Sequence, residues 1–367
     1  MRVTIIKRPP GLGFVASDHA ILELEHEVTE VWYPDRPTWA FVRNCWRAAG
    51  NSDVAYTFFA SEHALVAGAI FKLRRRRLVV AVGGYDTADD RVHGYGLAAN
   101  GRGWVATIVG RLADALIPHS AFAEDELLRR QPRLRPKTET AGLAVDPARW
   151  PDPAVERDAR LALTVATVSR ASFSRKGIDR FLDAARADPG RPYVLAGRVL
   201  AEAEALVADH PPNVTLTGPT PPEELNELYW SAGIYVQLSW HETFAMAVAE
   251  AMVCGCVPVI ARQPALLDVA GSWAVVTDGV AGDTDAIRKA EDPRIDRDAI
   301  RADVASRYAV DLRRAALNRA LADRSGERHG HRRRRWASRG NDDLRRDHGD
   351  GDQRGDAERN ERSPRGQ

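Results

Sequence analysis

Two glutamates, Glu242 and Glu250, stand eight residues apart in the segment SWHETFAMAVAEAMVCGCVPVIA, residues 239–261. The run Ile234-Tyr-Val-Gln-Leu-Ser239 before them reads as a strand. The Ala/Met/Val-rich stretch around Glu250 reads as a helix, and Gly255-Cys-Val-Pro-Val-Ile260 as a turn into the next strand. Eight helical steps of about 100° set the two carboxylates roughly 80° apart around the axis and about 12 Å apart along it. That span is too long to grip one atom; it suits two groups at opposite ends of an elongated ligand. A helix N-terminus near 243–245 adds free backbone N–H groups for anionic oxygens. Read singly, Glu242 is an acid at a helix start, where the dipole favours it, and Glu250 a solvated helical residue.

Arg170 and Lys176 form a second constellation. The segment Val165-Ala-Thr-Val-Ser-Arg170 ends a buried strand, and Lys176-Gly177 precedes a helix over 178–185. Two fixed cations in a dry cleft can neutralise charge that builds on a departing phosphate. The guanidinium does so in two-pronged fashion and the ammonium as a point charge. Taken alone, they are two solvated loop residues. Tyr193-Val-Leu-Ala-Gly197 and Val214-Thr-Leu-Thr-Gly218 are strands ending in glycine. Ligands of open parallel sheets bind beyond such ends, although plain strand-to-helix turns look the same.

The first half carries fainter marks. Pro10-Gly11-Leu-Gly13 follows the first strand, and Gly11-Leu-Gly13-Phe-Val-Ala16 matches the dinucleotide fingerprint G-x-G-x-x-A. The acid such a site needs is not cleanly placed: Glu30 and Asp35 flank Tyr33. Asp86, in Gly83-Gly84-Tyr85-Asp86, either faces the cleft or caps the following helix. His93 and His119 read as structural. Asp86, Asp89 and Asp90 do not by themselves specify a metal site. Arg74–Arg77 sits at a helix C-terminus, where cations are favourable, with anionic lipid headgroups as the other reading.

These segments resemble the glycosyltransferases of family 4, the group 1 glycosyl transferases, which have the GT-B fold. E-T-F-A followed by E-A-M-V-C-G-C-V-P-V is similar to the family's E-x7-E signature, with Thr243 and Ala245 where glycine is common. S-R-A-S-F-S-R-K-G is similar to its Gly-Arg…Lys-Gly segment, with Ser169 in place of glycine. Ala141–Pro151 resembles the family's crossover between domains. The resemblance implies transfer of a hexose from a nucleotide-diphosphate sugar to a hydroxyl acceptor, a glycan, glycolipid or small molecule, with retained configuration and without metal or cofactor. Arg170 and Lys176 would stabilise the leaving diphosphate, Glu242 would contact the sugar, and Glu250 the ribose hydroxyls. Gly11, Gly13, Gly197, Gly218, Thr243, Phe244 and Ala245 would line the donor site, and Asp86 would lie on the acceptor side. Two other readings stay open: an NAD-dependent oxidoreductase using Gly11–Ala16, and a nucleotide-binding protein without transfer activity.

The elements that must position these residues follow from apolar periodicity. Aliphatic strands alternate with helices along both halves, which predicts an α/β chain of two Rossmann-like domains with parallel sheets facing a cleft. The expected division is 1–148, 149–325, and a tail 326–367 of Arg, Asp, Gly, Asn and Glu, too poor in aliphatic residues to order itself. A last helix near 298–322 is expected to fold back onto the first domain. The chain of 367 residues is 44% apolar, enough for two cores, and its net charge of +1 gives no pull towards nucleic acid. No run reaches the ~18 apolar residues of a membrane span, and the N-terminus lacks a signal-peptide core, so a cytoplasmic protein is expected, with at most peripheral membrane contact. Three cysteines, Cys45, Cys254 and Cys256, read as small buried residues.

Overall fold

The computed structural model describes residues 1–9 and 13–322. Gly11 and the tail 326–367 therefore lie outside the described residues. Five strands make the first sheet: β1 (Arg2–Lys7), β2 (Glu27–Trp32), β3 (Val54–Phe58), β4 (Arg77–Val82) and β5 (Ala115–Pro118). They run parallel in the order β2-β1-β3-β4-β5. The aliphatic runs predict strands over 3–7, 28–33, 54–59, 78–82 and 115–118, and each observed boundary lies within one residue of them. The reason is visible in β3, VAYTF, which is buried at every position. A parallel strand is reached by a helical crossover, so helices cover both faces and the strand becomes apolar throughout.

Six strands make the second sheet: β6 (Asp158–Val165), β7 (Tyr193–Ala196), β8 (Val214–Gly218), β9 (Ala232–Gln237), β10 (Val257–Ala261) and β11 (Val275–Thr277). Their order is β11-β10-β9-β6-β7-β8, again all parallel. Here the aliphatic run predicts a strand over 163–168, whereas β6 begins earlier, at Asp158, and ends at Val165, before the segment that leads to Arg170. Its first residues, Asp158–Arg160, are exposed, and the pairing with β9 shifts register between Asp158 and Ala162. A polar strand start at a bulge carries no hydrophobic signal. Each sheet with its helices is a Rossmann-like domain, as the alternation predicts.

The helix Val310–Leu321 returns from the second sheet to the first. Arg313, 1% exposed, makes a two-pronged bond to Asp18 at 3.0 and 2.6 Å. The Tyr56 hydroxyl donates to the same carboxylate at 2.5 Å, and Arg313 also donates to the Ala141 carbonyl at 3.0 Å. His26 pairs with Asn318 at 2.9 Å, and Arg319 with Glu139 at 2.7 Å. Of the Arg74–Arg77 cluster, Arg77 serves the same packing, while Arg76 and Arg74 bind within the first domain. Arg77 donates to the Ala320 carbonyl at 3.1 Å, Arg76 to that of Ala49 at 3.2 Å, and Arg74 lies 4.7 Å over the Trp46 ring. All three cysteines are buried and unpaired. No helix among the described residues is long and apolar enough to cross a membrane.

A buried ion pair is most costly when one partner is removed, by roughly 3–5 kcal/mol. Arg313→Leu is therefore expected to lower unfolding free energy by about that amount. Asp18→Asn in the same background should recover part of it, because the stranded charge goes. Urea denaturation checks this; a loss below ~1 kcal/mol in the single variant contradicts it.

Candidate active site

A cavity of about 830 Å³ lies where the carboxyl ends of the two sheets meet. From the first sheet it is walled by Lys7, Phe58, Phe59, Asp86 and His119, and from the second by Lys176, Glu242, Met246 and Glu250. Ligands of open parallel sheets bind beyond these strand ends.

On the second side the chain leaves β9 at Gln237 and enters the helix Met246–Val253. Glu242 therefore stands in the loop before the helix, and only Glu250 is helical, so the eight helical steps expected between the two glutamates do not hold. The turn is made by Ala245, at φ 59 and ψ 59. Left-handed backbone costs a residue with a Cβ about 1–2 kcal/mol, which is why glycine suits this position. Thr243, the other departure from glycine, has no positive φ. Thr243, Phe244 and Ala245 all line the cavity, as expected for the loop. The N–H groups of Met246 and Ala247, also in the wall, find no carbonyl partner among the described residues. They are the unsatisfied first turn of the helix.

The Glu242 carboxylate accepts from Ser239 Oγ at 3.1 Å and stands 3.9 Å from Lys176 Nζ. Lys176 is held by its neighbour. Gly177 has φ 68, and any Cβ there would collide with the Leu238 carbonyl at the end of the β9 segment. Glu250 lies partly open to the cavity, but its carboxyl is shielded enough that burial pushes its pKa up to about 7, against the opposing pull of the Tyr229 hydroxyl, 3.3 Å away, and of the Arg149 charge.

Other expected residues lie elsewhere. Arg170 opens the short helix Arg170–Phe173, exposed and outside the cavity wall. Gly197 and Gly218 touch each other, with Gly197 N donating to the Gly218 carbonyl at 3.1 Å, and neither lines the cavity. Gly13 starts a helix whose next residues, Phe14 and Val15, are the ones that reach it.

Asp86 does line the cavity, but as a clasp. Its carboxylate accepts from Ala60 N at 2.8 Å and Gly83 N at 3.1 Å, joining the loops after β3 and β4. Burial raises its pKa to about 6, and no helix begins until Gly103. His93 is bound to Asp90 at 2.6 Å. Glu30 is engaged by Lys7 and by the Trp32 indole at 2.9 Å, so it is not left free for a ribose.

His119, read from the sequence as structural, also belongs to this wall. It is 3% exposed, and neither ring nitrogen has a partner among the described residues. Burial, and then the Arg313 charge, hold its pKa well below the ordinary value, so the ring is neutral. Buried polar atoms are nearly always bonded, so two unpaired nitrogens beside a cavity stand out. Its place directly after β5 was the available signal.

Residues 158–297 match the family model of glycosyl transferases, group 1. That span holds the whole second sheet with Lys176, Glu242 and Glu250. No curated protein matches the sequence. Among solved structures, Anabaena HepE in complex with UDP and glucose superposes with a TM-score of 0.70 at 14% identity, covering 88% of this chain and 99% of that one. Sucrose-phosphate synthase from Thermosynechococcus elongatus gives 0.69 at 17% identity, covering 88% and 99%. A UDP-GlcNAc 2-epimerase from Methanocaldococcus jannaschii gives 0.56 at 10%, covering 81% and 94%. These likenesses show the fold, the two-domain GT-B arrangement.

The raised Glu250 pKa has a sign. A carboxyl that titrates near 7 when folded and near 4.5 when unfolded contributes stability below pH 4.5 that is lost as pH rises through 7. Glu250→Gln should remove that loss. Relative to the parent, the variant should gain on the order of 2 kcal/mol between pH 5 and pH 8. Equal pH dependence of the two proteins in chemical denaturation would contradict the assignment.

Proposed function

We propose that this protein is a retaining glycosyltransferase that moves a hexose from a nucleotide-diphosphate sugar to a hydroxyl acceptor. One observation carries the reading: Lys176 and Glu242 meet at the head of the helix Met246–Val253, and Glu250 faces the same cavity farther along that helix. A diphosphate at Lys176 would also meet the free N–H groups of Met246 and Ala247, where the helix dipole favours anions. The sugar would lie against Glu242, and the ribose hydroxyls would donate to Glu250. The match to the group 1 family over this region supports the donor side, and HepE, in complex with UDP and glucose, makes a uridine nucleotide the first donor to try.

The acceptor, a glycan, a lipid-linked sugar or a small alcohol, would enter from the first sheet, beside Asp86 and His119. Its hydroxyl oxygen attacks the anomeric carbon as the bond to the diphosphate oxygen breaks. The hydroxyl proton passes to that departing oxygen. The attack comes on the face the diphosphate leaves, which retains configuration without a covalent enzyme intermediate. Lys176 stabilises the charge that grows on the leaving group, an effect confined largely to the transition state.

The two glutamates should separate by experiment. Glu250→Ala deletes charged hydrogen bonds of roughly 1.5–3 kcal/mol each to groups that do not change during reaction. It should weaken free UDP and the UDP-sugar alike. Glu242→Gln should leave UDP affinity nearly intact and cut turnover, because its contact is with the sugar. Titration calorimetry beside transfer rates decides it, and the reverse pattern means the donor lies the other way along the helix.

A further inference from the structure

Arg170 and Arg175 flank one turn, yet their surroundings are opposite. Arg170 is exposed and outside the cavity wall, whereas Arg175 is 9% exposed and forms part of that wall beside Lys176. A guanidinium keeps its charge at any working pH, so burying it is costly unless its five N–H groups and its charge are answered. The answer at Arg175 is incomplete. One nitrogen, Nη1, donates to the His241 carbonyl at 3.2 Å. Nε is buried with no partner, and no carboxylate pairs with Arg175 among the described residues.

What holds the group is aromatic. The guanidinium lies 4.1 Å from the centroid of Tyr95, which belongs to the long loop after β4, on the opposite side of the cavity. The ring of His241, whose carbonyl takes the Nη1 proton, is bonded to Glu126 on the first-sheet side at 3.2 Å. Tyr95 and Glu126 therefore brace the Arg175–His241 pair from across the cleft. A buried cation with an orphaned N–H, no counter-ion and an ammonium as sequence neighbour is a site that an anionic oxygen completes.

On the donor reading given above, we propose that Arg175 is the guanidinium that grips the diphosphate beside Lys176, and that Tyr95 is a positioning residue that holds it there from the opposite wall. The grip then exists in full only while the two walls are together.

Calorimetry with UDP, GDP, ADP, the three matching nucleosides and glucose 6-phosphate tests this. For the diphosphate that the parent binds tightest, Arg175→Ala should weaken binding at least about tenfold, or about 1.4 kcal/mol, and should change nucleoside binding by less than about twofold. Arg175→Lys should recover only part, since an ammonium cannot make the fork. Tyr95→Leu should follow Arg175→Ala in smaller measure, and Tyr95→Phe, which keeps the ring, should behave as the parent. If Arg175→Ala fails to fold, Arg175→Lys and Tyr95→Leu carry the test. Unchanged diphosphate affinity in Arg175→Ala overturns the proposal, and a loss confined to Arg170→Ala would reassign the grip. Loss of glucose 6-phosphate alone would mean that Arg175 reads an acceptor's phosphate, which also overturns it. A parent that binds none of the three diphosphates overturns the functional reading itself.

Discussion

The Arg313–Asp18 bond is the tie on which the cavity depends. The cavity has one wall from each sheet, and neither wall is a site alone. The last helix belongs in sequence to the second half, yet it is bolted to the first by a pair at 1% exposure whose two oxygens and three donors are matched. The residue that leads into this helix reaches the loop before Met246. Tyr308, just before it, packs edge-on against Phe244 at 5.0 Å, and Val145 N donates to the Tyr308 carbonyl at 2.9 Å. Gly142 of the crossover makes room for both rings, since a Cβ there would lie 2.7 Å from Tyr308 and 3.2 Å from Phe244. The loop that would seat the sugar, the crossover and the returning helix thus share one packed corner.

Strain gathers where the ligand would sit. Four of the described residues other than glycine have positive φ, and two of them, Phe59 and Ala245, line the cavity. Such conformations persist only where their surroundings over-determine them. Phe59 N is held by the Ala81 carbonyl at 2.7 Å, and the Ala245 carbonyl receives Val248 N at 3.0 Å. The buried acids follow the same logic. Asp86 spends its oxygens on backbone N–H groups and fixes two loops, whereas Glu250 has only a long bond from Tyr229 and remains open to the cavity. One is structural in effect; the other is available to a ligand.

How much of this was legible in the sequence depended on the range of the forces involved. Strands of the first sheet were legible because burial on both faces leaves an aliphatic run, and β6 was misjudged where a bulge lets it start polar. Lys176, Glu242 and Glu250 all reach the cavity wall, but the helical spacing expected between the two glutamates fails, because a left-handed Ala245 starts the helix only at Met246. Arg170 and Arg175 were not distinguishable: both flank the same short helix, and which one meets the cavity is decided by Tyr95 and His241, far away in sequence. His119 reads as structural from the sequence for the same reason, since a histidine's lack of partners is a tertiary fact. Asp86 lies in the cavity wall, but one of its partners, Ala60, comes from a loop 26 residues away.

On the proposed function, one cavity holds a nucleotide sugar end to end along the helix Met246–Val253. A crystal structure with UDP, or with whichever nucleoside diphosphate binds tightest, tests it most directly. Phosphate oxygens are expected at Lys176 and at the N–H groups of Met246 and Ala247, and ribose hydroxyls within hydrogen-bond reach of Glu250. A nucleotide seated instead along the first strand, with its phosphates at Gly13 and its ribose near Asp35, would contradict it.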